Sequence, residues 1–167
     1  MVIREMTKQD LEEVINISQE CFGKDAWSRK AFEKEFNHGH SYRFVIEEDG
    51  RILGYAIVWK MYDEVVLMSI AVRKELWGKG IGKSLMLFLV DCFKGKAKKF
   101  ILDVRRSNLR AIRLYQSLGF KIIYERQKYY SDGENAFLMA LDLEEKDGDK
   151  RQEVGALDTG GEASTKG

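Results

Sequence analysis

Proline is absent from all 167 residues, where ordinary usage near 5% would supply roughly eight. The chain therefore has no rigid proline-rich linker or polyproline ligand segment. Cysteine is nearly absent too. Cys21 and Cys92 stand far apart in apolar surroundings, which excludes a disulfide framework or a cysteine-built zinc cluster and reads as two small buried hydrophobes in a reducing compartment. Charge excess is also missing: 28 Lys and Arg face 27 Asp and Glu, a net charge of +1. Phosphate-backbone binding usually rests on a basic surplus, so direct nucleic-acid binding is not expected. The longest apolar run, Leu85 to Val90, has six residues, against about 20 for a membrane helix. The first residues, Met1-Val-Ile-Arg-Glu, lack the apolar stretch of a signal peptide. These absences together lead us to expect a soluble, cytoplasmic protein with no membrane partner. A third of the residues are charged, a trait shared with heat-adapted proteins.

What is present divides once, near Leu143. Residues 144–167 carry five glycines, many charges and no aromatic side chain, too little apolar surface to offset the entropy of ordering them. They are expected to form a disordered tail behind a single domain of residues 1–143. Within that domain the hydrophobic period alternates between those of strands and helices. Residues 2–5 read as a strand. Thr7 to Asp10 forms a capping-box pattern ahead of a helix with Leu11, Val14, Ile15, Ser18 and Phe22 on one face. A second helix is expected from Ser28. Three strands follow, Tyr42 to Glu48, Arg51 to Lys60 and Glu64 to Arg73, the first two joined by the hairpin dipeptide Asp49-Gly50. Next come a helix from Ile81 to a glycine stop at Gly95, a strand from Phe100 to Val104, and a helix between Asn108 and Gly119. Two last strands, about 120–130 and 135–143, complete the order β-α-α-β-β-β-α-β-α-β-β. That order predicts an α/β domain: a mixed, largely antiparallel sheet flanked by about four helices.

Chemistry concentrates in Trp77-Gly78-Lys79-Gly80-Ile81-Gly82, a strand-to-helix turn. Its glycines let the backbone approach an anion closely, its amides face out of a helix N-terminus, and Lys79 and Lys83 add positive charge. Two phosphate motifs fail here. A Walker A loop would require glycine at Trp77, although Gly82-Lys83-Ser84 fits its end and Phe100 to Asp103 resembles a Walker B strand. The dinucleotide fingerprint would require glycine at Lys83 or Leu85. A phosphate-loop nucleotide hydrolase therefore stays as a rival that is one residue short.

Ile70-Ala71-Val72, five residues, then Gly78-Lys-Gly-Ile-Gly-Lys83, followed by Asn108-x-x-Ala111-x-x-x-Tyr115-x-x-x-Gly119-Phe120, resembles the GNAT superfamily of acetyl-CoA-dependent N-acetyltransferases. The resemblance covers residues 2 to about 143. Asp103-Val-Arg-Arg-Ser-Asn108, Leu114-Tyr115-x-x-Leu118-Gly-Phe, Tyr129-Tyr130 and Met139-Ala-Leu are similar to the RimI type, which acetylates the N-terminal alanine of a ribosomal protein. The resemblance implies a splayed strand at Ile70, Ala71 and Val72 offering backbone groups to the pantetheine arm and acetyl carbonyl. It also implies a pyrophosphate site at Gly78, Lys79, Gly80, Ile81, Gly82 and Lys83, and a cofactor contact at Asn108. Trp77 departs from the family's usual Gln or Arg.

Transfer from a thioester to an amine needs a neutral amine, donors for the developing oxyanion and a proton for the thiolate. An α-amine has a pKa near 8, so a base must act first. The resemblance puts Asp103 where the RimI type has a glutamate; one methylene shorter, it is expected to act through a bridging water. Without the resemblance, Asp103 reads as a strand-end turn cap and Tyr115 as a core ring. With it, Tyr115 becomes the proton donor to the thiolate, and a backbone N–H near Val72 the oxyanion donor. Trp27, Tyr129 and Tyr130 are the implied acceptor-site residues. No metal is expected: His38 and His40 lack a third ligand. The acceptor is expected to be a protein or peptide N-terminus, with a ribosomal protein or a tRNA-modification protein as partner. The alternatives are a lysine side chain, a small amine such as a polyamine, or a non-catalytic CoA-binding subunit.

Overall fold

The computed structural model describes residues 1–144; apart from Glu144, the expected tail lies outside the described residues. Eleven elements follow the expected order: β1 (Val2–Glu5), α1 (Leu11–Phe22), α2 (Arg29–Glu35), β2 (Ser41–Glu48), β3 (Arg51–Met61), β4 (Glu64–Val72), α3 (Ile81–Phe93), β5 (Lys99–Arg105), α4 (Leu109–Ser117), β6 (Lys121–Arg126) and β7 (Ala136–Asp142). Local chemistry sets several of the boundaries. The Asp10 carboxylate accepts the Thr7 N–H at 2.7 Å and ion-pairs with Arg4 at 2.8 Å, tying the start of α1 to β1. Ser28 Oγ accepts from the Ala31 amide and caps α2. Asp49 and Gly50 both take positive φ, 51° and 78°, as a two-residue hairpin turn between right-twisted strands requires.

The strands form one sheet in the order β1-β2-β3-β4-β5-β7-β6. Every neighbouring pair is antiparallel except β4 and β5. Period-two alternation gives each face its own core. On one face, Phe44, Ala56, Val58, Ile70, Val72, Phe100, Leu102 and Val104 pack with Leu85, Leu89, Leu114 and Tyr115 of α3 and α4. On the other, Val45, Tyr55, Ile57 and Ala71 pack with Val14, Ile17 and Phe32 of α1 and α2.

Three departures from the sequence reading bear on function. The strand expected over 120–130 stops at Arg126. There Lys128 turns to φ 48° and its N–H is taken by the Asn135 side chain at 2.9 Å, so Tyr129 and Tyr130 stand in a loop and not in a ladder. The cysteines are only partly buried, and Cys21 Sγ donates to the Val72 carbonyl at 3.1 Å. Bulges also interrupt the ladders, at Met68 in β4, Leu53 in β3 and Ile123 in β6. Among the described residues no helix is long and apolar enough to cross a membrane, and no three His, Cys, Asp or Glu converge on a metal-sized site.

Candidate active site

The site begins with a gap in the sheet. β4 and β5 share only three register pairs, Glu64↔Lys99, Val65↔Phe100 and Val66↔Ile101, although β4 continues to Val72 and β5 to Arg105. Beyond Val66 the two strands part. Arg73 N–H donates to the Leu53 carbonyl at 3.0 Å, which makes that a hydrogen-bonded pair. Since antiparallel pairs alternate, Ala71 turns its N–H and C=O toward β3, whereas Ile70 and Val72 turn theirs to the open side. Of the three expected strand residues, two thus present backbone to the gap; the third supplies a buried methyl to the α1/α2 core.

At the end of the gap the chain makes a short 3-10 turn, Lys74–Leu76, and enters α3 through Gly78 and Gly80, with φ 88° and 80°. The first α-helical hydrogen bond runs from Ser84 N–H to the Gly80 carbonyl at 3.0 Å. The N–H groups of Ile81, Gly82 and Lys83 therefore have no carbonyl within the helix to receive them. With the positive end of the helix dipole and the nearby Lys79 and Lys83, they form a turn suited to holding an anion. Trp77 closes its near side. Its indole N–H donates to the Val72 carbonyl at 2.8 Å and the Arg110 guanidinium lies over its ring at 4.5 Å. Asn108 caps α4 through the Ala111 amide at 3.3 Å.

The opposite face of the same gap carries a different chemistry. β5 alternates, so Phe100, Leu102 and Val104 point into the α3/α4 core while Asp103 and Arg105 point away from it. Asp103 is mostly buried and holds Arg126 at 2.9 Å. Beside it a cavity of 370 Å³ is lined by Asp25, Trp27, Met68, Arg105, Tyr129, Tyr130 and Ser131. The three expected acceptor residues therefore meet in one cavity. Trp27 packs on Phe32, and Tyr129 meets Tyr130 edge to face at 5.1 Å. Burial, reinforced by the Asp103 charge, pushes the Tyr130 phenol well above its ordinary value. Tyr115 belongs to the other face: it is fully buried, with its ring 5.8 Å from that of Phe120. Asp103 and Tyr115 thus lie on opposite sides of the sheet, and the β4–β5 gap is the passage between their two sides.

The sequence reading missed Arg105, Arg126 and Met68. Arg105 sat in the run after Asp103 and Arg126 at the end of the next-to-last strand, but nothing in their spacing revealed which carboxylates they would reach. The bulge at Met68 has no local sequence signal.

A sequence profile described as the Acetyltransferase (GNAT) family matches residues 11–120. The chain belongs to the GNAT acetyltransferase family. A GNAT relative, the ribosomal protein bS18-alanine N-acetyltransferase of Escherichia coli K12, is 37% identical over 122 residues, covering 70% of this chain and 81% of that one. An N-alpha-acetyltransferase of Sulfurisphaera tokodaii is 32% identical over 155 residues, 84% of this chain and 92% of that one. The crystal structure of the Escherichia coli ribosomal-protein-S18-alanine N-acetyltransferase superposes with a TM-score of 0.79 at 32% identity, covering 87% of this chain and 95% of that chain. The GNAT fold and N-acetyltransferase class expected from the sequence are therefore borne out, with acetyl-CoA as acetyl donor. The hydrolase and the non-catalytic alternatives fall away. Acetyl-CoA fits the features built above: amides and lysines for its pyrophosphate, and a strand edge for its amide-bearing arm.

Proposed function

We propose that this GNAT enzyme acetylates the α-amino group of a protein N-terminus, with the N-terminal alanine of a ribosomal protein as the acceptor that its 37%-identical relative indicates. One observation carries the reading. The cavity bounded by Trp27, Tyr129 and Tyr130 opens beside Asp103, on the sheet face opposite the α3 cradle. An acceptor entering there and a donor held at Gly78 to Lys83 approach the β4–β5 gap from its two sides. Holding both reactants across one gap turns transfer into an effectively intramolecular event.

The donor supplies an acetyl thioester. Asp103 takes the ammonium proton of the acceptor through a bridging water, Arg126 anchoring the carboxylate while it does so. A backbone N–H at the open edge of Val72 faces the developing oxyanion, and Tyr115 gives its phenolic proton to the departing thiolate. No covalent enzyme intermediate is used: burial raises the Cys21 thiol to about 11, and the Cys92 thiol is raised as well, so neither is an activated nucleophile. The setting is cytoplasmic, and a ribosomal or tRNA-modification protein is the partner, without direct nucleic-acid contact.

The test offers two peptides and, separately, spermidine to the purified enzyme with acetyl-CoA. One begins Ala-Arg with a free N-terminus; the other is blocked there and carries lysines. Acetyl found on the α-amine of the first only supports the reading. Equal modification of the blocked peptide replaces it with a lysine acceptor, and transfer to spermidine alone with a small-amine acceptor.

A further inference from the structure

Arg105 lies where four segments meet. From the end of β5 its Nη1 donates to Asp132 and to Glu134, both at 2.9 Å, and its Nη2 donates to Asp25 at 2.9 Å. Asp25 belongs to the α1–α2 connection that carries Trp27; Asp132 and Glu134 belong to the β6–β7 loop that carries Tyr129 and Tyr130. The second oxygen of Glu134 accepts the Ser107 N–H at 2.9 Å, extending the tie to the turn before Asn108. The guanidinium carbon also lies over the Tyr130 ring, 4.1 Å from its centre. The Tyr130 hydroxyl is itself buried and, among the described residues, makes no hydrogen bond.

Three carboxylates drawn around one guanidinium would repel one another without it. Burial works against the charge on Arg105, and the hydrogen bonds it donates to Glu134 and Asp132 outweigh that effect. The two lips of the cavity are loops on either side of a 370 Å³ opening. A buried phenol with no partner is costly and is tolerated where a ligand completes it.

We propose that Arg105 is the positioning residue of the acceptor site. By pinning the α1–α2 lip to the β6–β7 lip and fixing the Tyr130 ring, it holds the cavity at the width of one N-terminal residue and aims the Tyr130 hydroxyl at the acceptor's main chain. Arg105 acts through Tyr130 and the lips and does not touch the reacting atoms. The inference rests on the reading that this cavity takes the acceptor.

The experiment measures steady-state kinetics of the full chain with an Ala-Arg peptide and with acetyl-CoA, each varied in turn. R105Q should raise the acceptor KM about tenfold or more, as misplacement of a reactant does, and leave the KM for acetyl-CoA within about twofold. R105K keeps the charge but loses the planar fork, and should recover only part of the acceptor KM. On a Y130F background, R105Q should add less than about twofold, because the two residues act as one unit. An unchanged acceptor KM in R105Q overturns the proposal, as does an equal rise in both KM values, or full additivity with Y130F. Should R105Q fail to fold, D25N removes a single tie and decides in its place: a rise of about threefold in acceptor KM supports the proposal, and no rise overturns it. A wild-type enzyme that acetylates no peptide overturns the acceptor reading itself, and this inference with it.

Discussion

The indole N–H of Trp77 donates to the main-chain carbonyl of Val72 at 2.8 Å, so the side chain that departs from the family pattern is bonded to the strand edge expected to face the donor. The Arg110 guanidinium on its ring fixes the other side of the indole. Trp77→Phe removes one neutral hydrogen bond of about 1 kcal/mol net and should shift acetyl-CoA Kd by less than about fivefold. Trp77→Ala also removes the ring and its cation contact, and should weaken binding about tenfold or more. Calorimetric titration with acetyl-CoA checks both; an alanine variant with wild-type Kd would show that the loop amides need no support from Trp77.

Asp103→Asn keeps the shape of the side chain and removes its basicity. Turnover should fall at least about tenfold with acetyl-CoA affinity unchanged. Single-turnover rates together with a binding titration separate the two quantities, and undiminished turnover removes Asp103 from the mechanism.

Tyr115→Phe leaves a core ring and deletes only the phenol. If the phenol protonates the thiolate, kcat should drop about tenfold or more at constant thermal stability. Full activity with an intact fold returns Tyr115 to a packing role against Phe120.

Gly54 sits in β3 opposite Val72, and a Cβ there would stand 2.7 Å from the Ala71 carbonyl oxygen. Backbone cannot yield as a side chain tip does. Gly54→Ala should cost about 1–3 kcal/mol in urea unfolding and should weaken acetyl-CoA binding too, because β4 must move to relieve the clash. A variant as stable as wild type would contradict the close approach.

Asp10 links acid sensitivity to the α1 cap. The Arg4 hydrogen bond, helped by the Thr7 amide, holds its carboxyl below the ordinary 3.8. In the lip network the Ser107 bond and then Arg105 lower Glu134, while the Glu134 amide and then Arg105 lower Asp132. Such groups bind fewer protons folded than unfolded. Their contribution is complete above the unfolded values and is lost as pH falls through the lower folded ones. Stability should therefore be flat down to about pH 5 and fall below it. Asp10→Asn should cost about 2 kcal/mol at neutral pH and flatten the acid slope. Urea midpoints of both proteins between pH 6 and about 3 check this, and identical slopes would exclude Asp10 as a contributor.

Much of this was legible in the residues. The Thr7–Asp10 pattern, Asp49-Gly50, Ser28 and the glycines before Ile81 each specify local backbone geometry, and the element order followed from them. The anion cradle was legible for the same reason, since it is a property of one turn. What could not be read depended on partners distant in sequence. Whether Ala71 faces β3 or the gap depends on its register with Tyr55, sixteen residues earlier. Arg105 reaches Asp25 across eighty positions. The end of β6 was missed because Lys128 adopts a left-handed turn without being glycine, held there by Asn135.

Three register pairs join the β1–β4 half of the sheet to the β5–β7 half, so the seven strands are mechanically two leaves on a short seam. The seam lies at the Glu64 and Lys99 end, far along β4 from Val72. Each leaf is stiffened by its own antiparallel ladder. Bending between them breaks few strand-to-strand hydrogen bonds and changes the width of the gap most at its open end, by Ile70 and Val72. Amide exchange should accordingly be slow within each leaf and fastest, among strand residues, along the parted edges. The breadth of the gap therefore rests less on strand pairing than on what spans it from outside the sheet: the α3/α4 core on one face and the Arg105 ties on the other.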